Sequence, residues 1–130
     1  MKPTRLDQRL GPVTMEQHLG LADGMSTTVA ARMLTLAADL AGDALALLAN
    51  GMDPRHDRDT LAHLGRAATR VEMRLAQLLV LAAQHCQDAT LLDVPLAIRC
   101  NIKTAGHCRS AICDMAISAA QHGRDDRMAA

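Results

Sequence analysis

The most constraining feature of this chain lies in its middle, where Leu61, Leu64, Ala68, Val71, Leu75, Leu78 and Ala82 recur at alternating steps of three and four residues. Such steps place side chains on one face of an α-helix, so three heptads of them predict a long helix with a continuous apolar stripe. A stripe of this kind needs a partner surface to bury it. Two further segments supply one. Val29, Met33, Leu36, Leu40, Ala44 and Leu47 predict a helix from Ser26, ended by Asn50-Gly51, a pair suited to a left-handed cap. Ile98, Ile102, Ala105, Cys108, Ile112, Met115 and Ala119 predict another, opened by Asp93 with Pro95 in its first turn and ended by Gly123. Asp53-Pro54 predicts the start of the middle helix, with Asp53 as N-cap and Pro54 at the first helical position. Near the N-terminus, Thr14 and Gln17 form a capping box for a short helix that Asp23-Gly24 breaks.

The chain contains no Phe, Tyr or Trp. Its core must therefore be built from aliphatic side chains, Met and Ala, and strand formers are scarce. Long helices joined by loops of a few residues fold back on one another. The expected fold class is all-α, an antiparallel bundle of three long helices plus one short N-terminal helix. At 130 residues one domain is expected. Residues 1–13, with Pro3, Gly11 and Pro12, read as a flexible arm, residues 14–123 as the bundle and residues 124–130 as a disordered tail.

Fourteen Lys plus Arg balance fourteen Asp plus Glu, so no net positive field recruits nucleic acid or an anionic membrane. The missing aromatic rings also leave single-stranded bases nothing to stack on. Lys2, Arg5, Asp7 and Arg9 interrupt the place where a secretory signal needs an apolar stretch. The longest strongly apolar run, Leu78 to Ala83, is far shorter than the roughly 20 residues of a membrane span. Cys86, Cys100, Cys108 and Cys113 stand in a helix-forming background, which suits reduced thiols in a cytoplasm. No membrane association and a cytoplasmic location are the expectations.

Candidate chemistry is sparse. The cysteines and histidines form no CxxC or HxxxH pair, so no single segment builds a structural zinc site, and Cys108 reads as a small core residue. His56, Asp59 and His63, at i, i+3 and i+7, would share one face if all were helical, and an antiparallel fold brings His122 toward the same end. Two imidazoles and a carboxylate suit zinc, iron or nickel, which makes these residues the candidate site for a divalent metal. The competing reading is a solvated helix start whose Asp complements the helix dipole. Arg66, Arg70 and Arg74 continue a basic stripe, either a receptor for phosphate or an acidic surface, or a solvent face with Arg66 near Asp114. Asp39 and Asp43, at i and i+4 without an accompanying ExxH, read as a solvated face.

The stretch Ala62-His63-Leu64-Gly65-Arg66-Ala67-Ala68 resembles the motif of histidine phosphotransfer domains, in which an exposed bundle His is followed by a basic residue three positions on and a small one four positions on. Arg66 and Ala67 stand in those places. Gly65, Arg66 and Ala67 replace the family's usual apolar residue, Lys and Gly, and the middle helix continues past the family's usual turn. The resemblance implies His63 as a phosphoacceptor.

No Gly-rich phosphate loop, nucleophile elbow or di-iron carboxylate pattern is present, so the reading leans away from an enzyme. The segment Leu78 to Ala83 is apolar on every side, which predicts a neighbour all round it. Met73, Leu79 and Val80 lie off the main stripe and are the candidate dimer interface. The function that fits is a non-enzymatic interaction or regulatory module, a homodimer with a protein partner and no required cofactor. A metal- or thiol-responsive regulator and a phosphorelay protein are the alternatives.

Overall fold

A computed structural model describes residues 15–21 and 26–129. The chain is an all-α bundle in which α1 spans Met15–Leu19, α2 Ser26–Gly51, α3 Arg58–His85 and α4 Asp93–Ala129. A 3₁₀ turn at Ala89–Leu91 links α3 to α4. The arm at residues 1–13, Thr14 and the Asp23-Gly24 break lie outside the described residues.

The three long helices pack pairwise against one another, and their stripes converge on a common core. Met33, Leu36 and Leu40 of α2 meet Val71, Leu75 and Leu78 of α3 and Ile98, Ala105 and Cys108 of α4. A smaller cluster at the other end joins Leu61, Leu64 and Ala68 to Ile112. Burial of each such Leu, Ile, Val or Met is worth roughly 1.5–3 kcal/mol, which accounts for the use of aliphatic residues at every stripe position. The direction of the helices follows from two contacts. Gly51 at the end of α2 lies against Leu61 and Met115, whereas Cys86 at the end of α3 places its Sγ 3.9 Å from the Met33 Sδ near the start of α2. Successive helices are therefore antiparallel.

Met15 and Leu19 seat α1 on the main cluster. The helix stops because Gly20 adopts a left-handed φ of 69°, which lets its N–H reach Gln17 O at 3.1 Å and the Leu21 N–H reach Glu16 O at 3.3 Å. Arg32 of α2 then donates from Nη1 to Leu19 O at 3.1 Å, tying the end of α1 to the bundle.

Four expectations need correction. Gly51 is not a left-handed cap; it is the last residue of α2, buried beside Met115, Ile112 and Leu61, and Met52 N–H still reaches Leu48 O at 3.2 Å. Asp53 does not cap α3. Its carboxylate is taken by Arg55, from the backbone N–H at 2.9 Å and from Nη2 at 2.8 Å, while Asp57 caps instead, accepting from Thr60 N–H at 2.8 Å. Gly123 does not end α4, which continues to Ala129. Finally, Thr28–Gly51 of α2 is long and apolar enough to cross a membrane by length and composition; scattered charges hid it from a search for unbroken apolar runs. Its inner side forms bundle core.

Candidate interaction surface

The outward faces of the long helices differ in chemistry. Along α3 the exposed positions include Arg66, Arg70, Arg74, Gln77 and Gln84. Along α4 they include Arg99, Lys103, His107, Asp114 and Gln121. On α2 they are Thr28, Ala31, Arg32, Leu34, Thr35, Ala38, Leu45, Ala46, Ala49 and Asn50, of which Arg32 alone is charged, and Met52 extends the surface past the helix end. Leu45 is 51 % and Met52 64 % exposed.

The reason lies in the spacing of the charges. At about 100° per residue, Arg32, Asp39 and Asp43 fall within about 40° of one another, on one flank. The outer arc is left to Ala, Leu, Thr and Gly. Asp39 is half-buried and Asp43 is 4 % exposed, so this pair does not form the solvated face its spacing suggested. Arg32 and Asp39 border a hollow of about 260 Å³ that also includes His18, Thr35 and Ala31.

Gly42 stands in the middle of this arc. A Cβ built there would meet nothing within 4 Å, whereas one at Gly106 would lie 3.3 Å from Glu72 Oε1 and one at Gly65 3.5 Å from Cys113 Sγ. Glycine inside a helix costs roughly 0.5–1 kcal/mol relative to alanine. At Gly65 and Gly106 the adjoining helix occupies the vacated space. At Gly42 no neighbour within the described chain does, and the missing side chain leaves a notch between Ala38, Leu45 and Ala46.

The residues singled out from sequence are dispersed. Met73 and Val80 are exposed, at 65 % and 56 %, but Leu79 lies about 120° from Met73 around α3 and packs against the main core. The three therefore do not form one surface. His56 precedes α3, with Nε2 2.9 Å from Asn50 Oδ1. Asp59 lies beside Arg58 at 3.7 Å, and His63 and His122 are exposed on different helices. Among the described residues no three His, Cys, Asp or Glu side chains converge on a metal-sized site.

His63 Nδ1 lies 2.8 Å from Arg66 Nη2. A guanidinium only donates, so in this contact Nδ1 accepts. Arg70 is exposed and Arg74 reaches Gln77 Oε1 at 3.3 Å. The ion pair between α3 and α4 joins Arg109 to Glu72, not Arg66 to Asp114.

Cys86, Cys100, Cys108 and Cys113 are free thiols. Burial pushes the Cys86 and Cys108 thiols up, away from the reactive thiolate. Cys108 occupies the core position its stripe predicts.

No protein-family model, curated protein or solved structure matches this chain.

Proposed function

We propose that this chain is a non-enzymatic helical interaction or regulatory module that works by docking the uncharged outer face of α2 against another surface. The observation that carries this reading is a difference in charge between helices: α3 and α4 expose Arg66, Arg70, Arg74, Arg99 and Lys103 among apolar residues such as Met73, Val80, Leu96 and Ile117, whereas α2 exposes one charge, Arg32, beside Leu34, Ala38, Leu45 and Ala49. Single exposed apolar residues are ordinary on a protein surface. A row of them along one helix, with the charges held to one flank, makes an exposed apolar strip of the kind that marks interaction sites. Among the described residues no three His, Cys, Asp or Glu side chains converge, and burial holds the Cys86 and Cys108 thiols away from the thiolate form.

Site-specific photo-crosslinking in cells tests this. A photoreactive residue replacing Leu45 should give a discrete adduct, and one replacing Lys103 on the outer face of α4 should not. Equal labelling from both positions, or none from position 45, would refute the proposal.

A further inference from the structure

The outer face of α2 carries a size pattern that identifies its occupant. Along its centre, flanked by Thr35 and Ala46 which do not share the pattern, Ala31, Leu34, Ala38, Leu45, Ala49 and Met52 are separated by steps of three, four, seven, four and three, the same read in either direction. Those steps keep the row within a narrow arc of the helix, as a coiled-coil seam requires. The midpoint falls between Ala41 and Gly42. In an antiparallel pairing about that midpoint, Leu34 meets Ala49, Leu45 meets Ala38 and Met52 meets Ala31, each in both directions. Every large side chain faces a small one. The axis passes beside the Gly42 notch, where nothing stands within 4 Å of a Cβ, so the two backbones can approach most closely there.

We infer that α2 pairs antiparallel with α2 of a second copy of this chain, with a two-fold axis between Ala41 and Gly42. This rests on the interaction reading above and adds the partner and the register. Self-complementarity under a two-fold is what an isologous interface demands. A heterologous partner places no such condition on the spacing or on the alternation of sizes. The hollow between α1 and α2 includes Ala31, so Met52 of the second copy enters at its edge. The seam runs from Ala31 to Met52, about 32 Å. A contact made by one helix of each protomer is small beside the roughly 1,200–2,000 Å² of a standard stable interface, so the dimer is concentration-dependent.

Disulfide crosslinking reads the register, in a Cys100→Ser, Cys113→Ser background that leaves the two buried thiols in place. Gly42→Cys, beside the axis, should form a linked dimer under mild oxidation. Leu34→Cys alone should not, because the two copies of that position lie 15 residues apart along the seam, about 22 Å. Leu34→Cys combined with Ala49→Cys should link. Linking of Leu34→Cys alone would overturn the antiparallel register. Light scattering of the wild-type protein at hundreds of micromolar should give twice the protomer mass of 13.9 kDa, and Leu45→Glu should return it to one. A wild-type protomer mass at that concentration would overturn the dimer, as would co-flotation with phosphatidylcholine–phosphatidylglycerol vesicles that Leu45→Glu abolishes. The photo-adduct from position 45 separates the two readings: a heterologous mass ends the dimer inference and keeps the interaction reading, whereas no adduct ends both.

Discussion

At the scale of single residues, the glycines and the loop aspartates make opposite demands on the fold. Gly20 holds φ at 69°, a region costly for any residue with a Cβ, and Arg32 crowds the place a methyl would take. Gly20→Ala should therefore destabilise the bundle, by roughly 1–2 kcal/mol in chemical denaturation. Gly42 has no such requirement within the protomer. Gly42→Ala should raise protomer stability by roughly 0.5–1 kcal/mol, measured at dilution where any dimer is apart, and a loss of stability there would contradict the open space seen around it. Asp53 titrates unusually low, at about 2 against an ordinary 3.8, because the Arg55 side chain and then its N–H hold the carboxylate ionised. Asp57 is lowered in the same direction by the Thr60 N–H. A depressed pKa in the folded state contributes stability that is complete above the unfolded value. Thermal stability should accordingly decline as pH falls from 3.8 toward about 2, and Asp53→Asn should flatten that part of the profile.

At the scale of the elements, α3 shows why a stripe position and a neighbouring flank position are not equivalent. Leu75 is fully buried between α2 and α4, while Met73, two residues earlier, is 65 % exposed. Leu75→Ala should cost roughly 2–5 kcal/mol of unfolding free energy, from lost transfer and a residual cavity. Met73→Ala should leave stability nearly unchanged. Comparable losses at both positions would mean that α3 is rotated from the orientation described. The start of this helix is set by competition between two aspartates. Arg55 captures the Asp53 carboxylate in a local turn, which leaves Asp57 to accept from the first free N–H groups of α3. Asp57→Ala should therefore fray the first turn and lower the melting temperature, an effect visible in amide exchange at Thr60 and Leu61.

At the scale of the whole molecule, three antiparallel helices enclose one core but leave each helix a side in water. What is placed on those sides distinguishes solvent from contact. Charged side chains recur along the outer sides of α3 and α4, interleaved with Met73, Val80, Leu96 and Ile117, whereas α2 exposes a single one, Arg32, at its flank. Association through that side couples stability to concentration, since a dimer that exists only when folded draws the equilibrium toward the folded state. The melting temperature of the wild-type protein should rise with protein concentration, and that of Leu45→Glu should not. A concentration-independent wild-type value would argue against association through α2.

The number and approximate extent of the helices were legible in the sequence because each stripe has a period that only a helix can satisfy. Cys108 was legible as a core residue for the same reason. Boundaries were less so: Asp53 and Asp57 are chemically equivalent as caps, and which of them serves depends on where Arg55 lies in the folded turn. The metal-like spacing of His56, Asp59 and His63 dissolved because α3 begins two residues after His56. On α3, Met73, Leu79 and Val80 look alike in sequence, yet packing partly buries one and exposes two. The features on which the proposed α2 pairing rests are in the sequence, in the confinement of Arg32, Asp39 and Asp43 to one flank and in the spacing of the row from Ala31 to Met52. Periodicity specifies that a face is apolar and must be covered. Only the tertiary arrangement decides which apolar faces the chain covers with itself, because three helices have more apolar arc than one core can enclose.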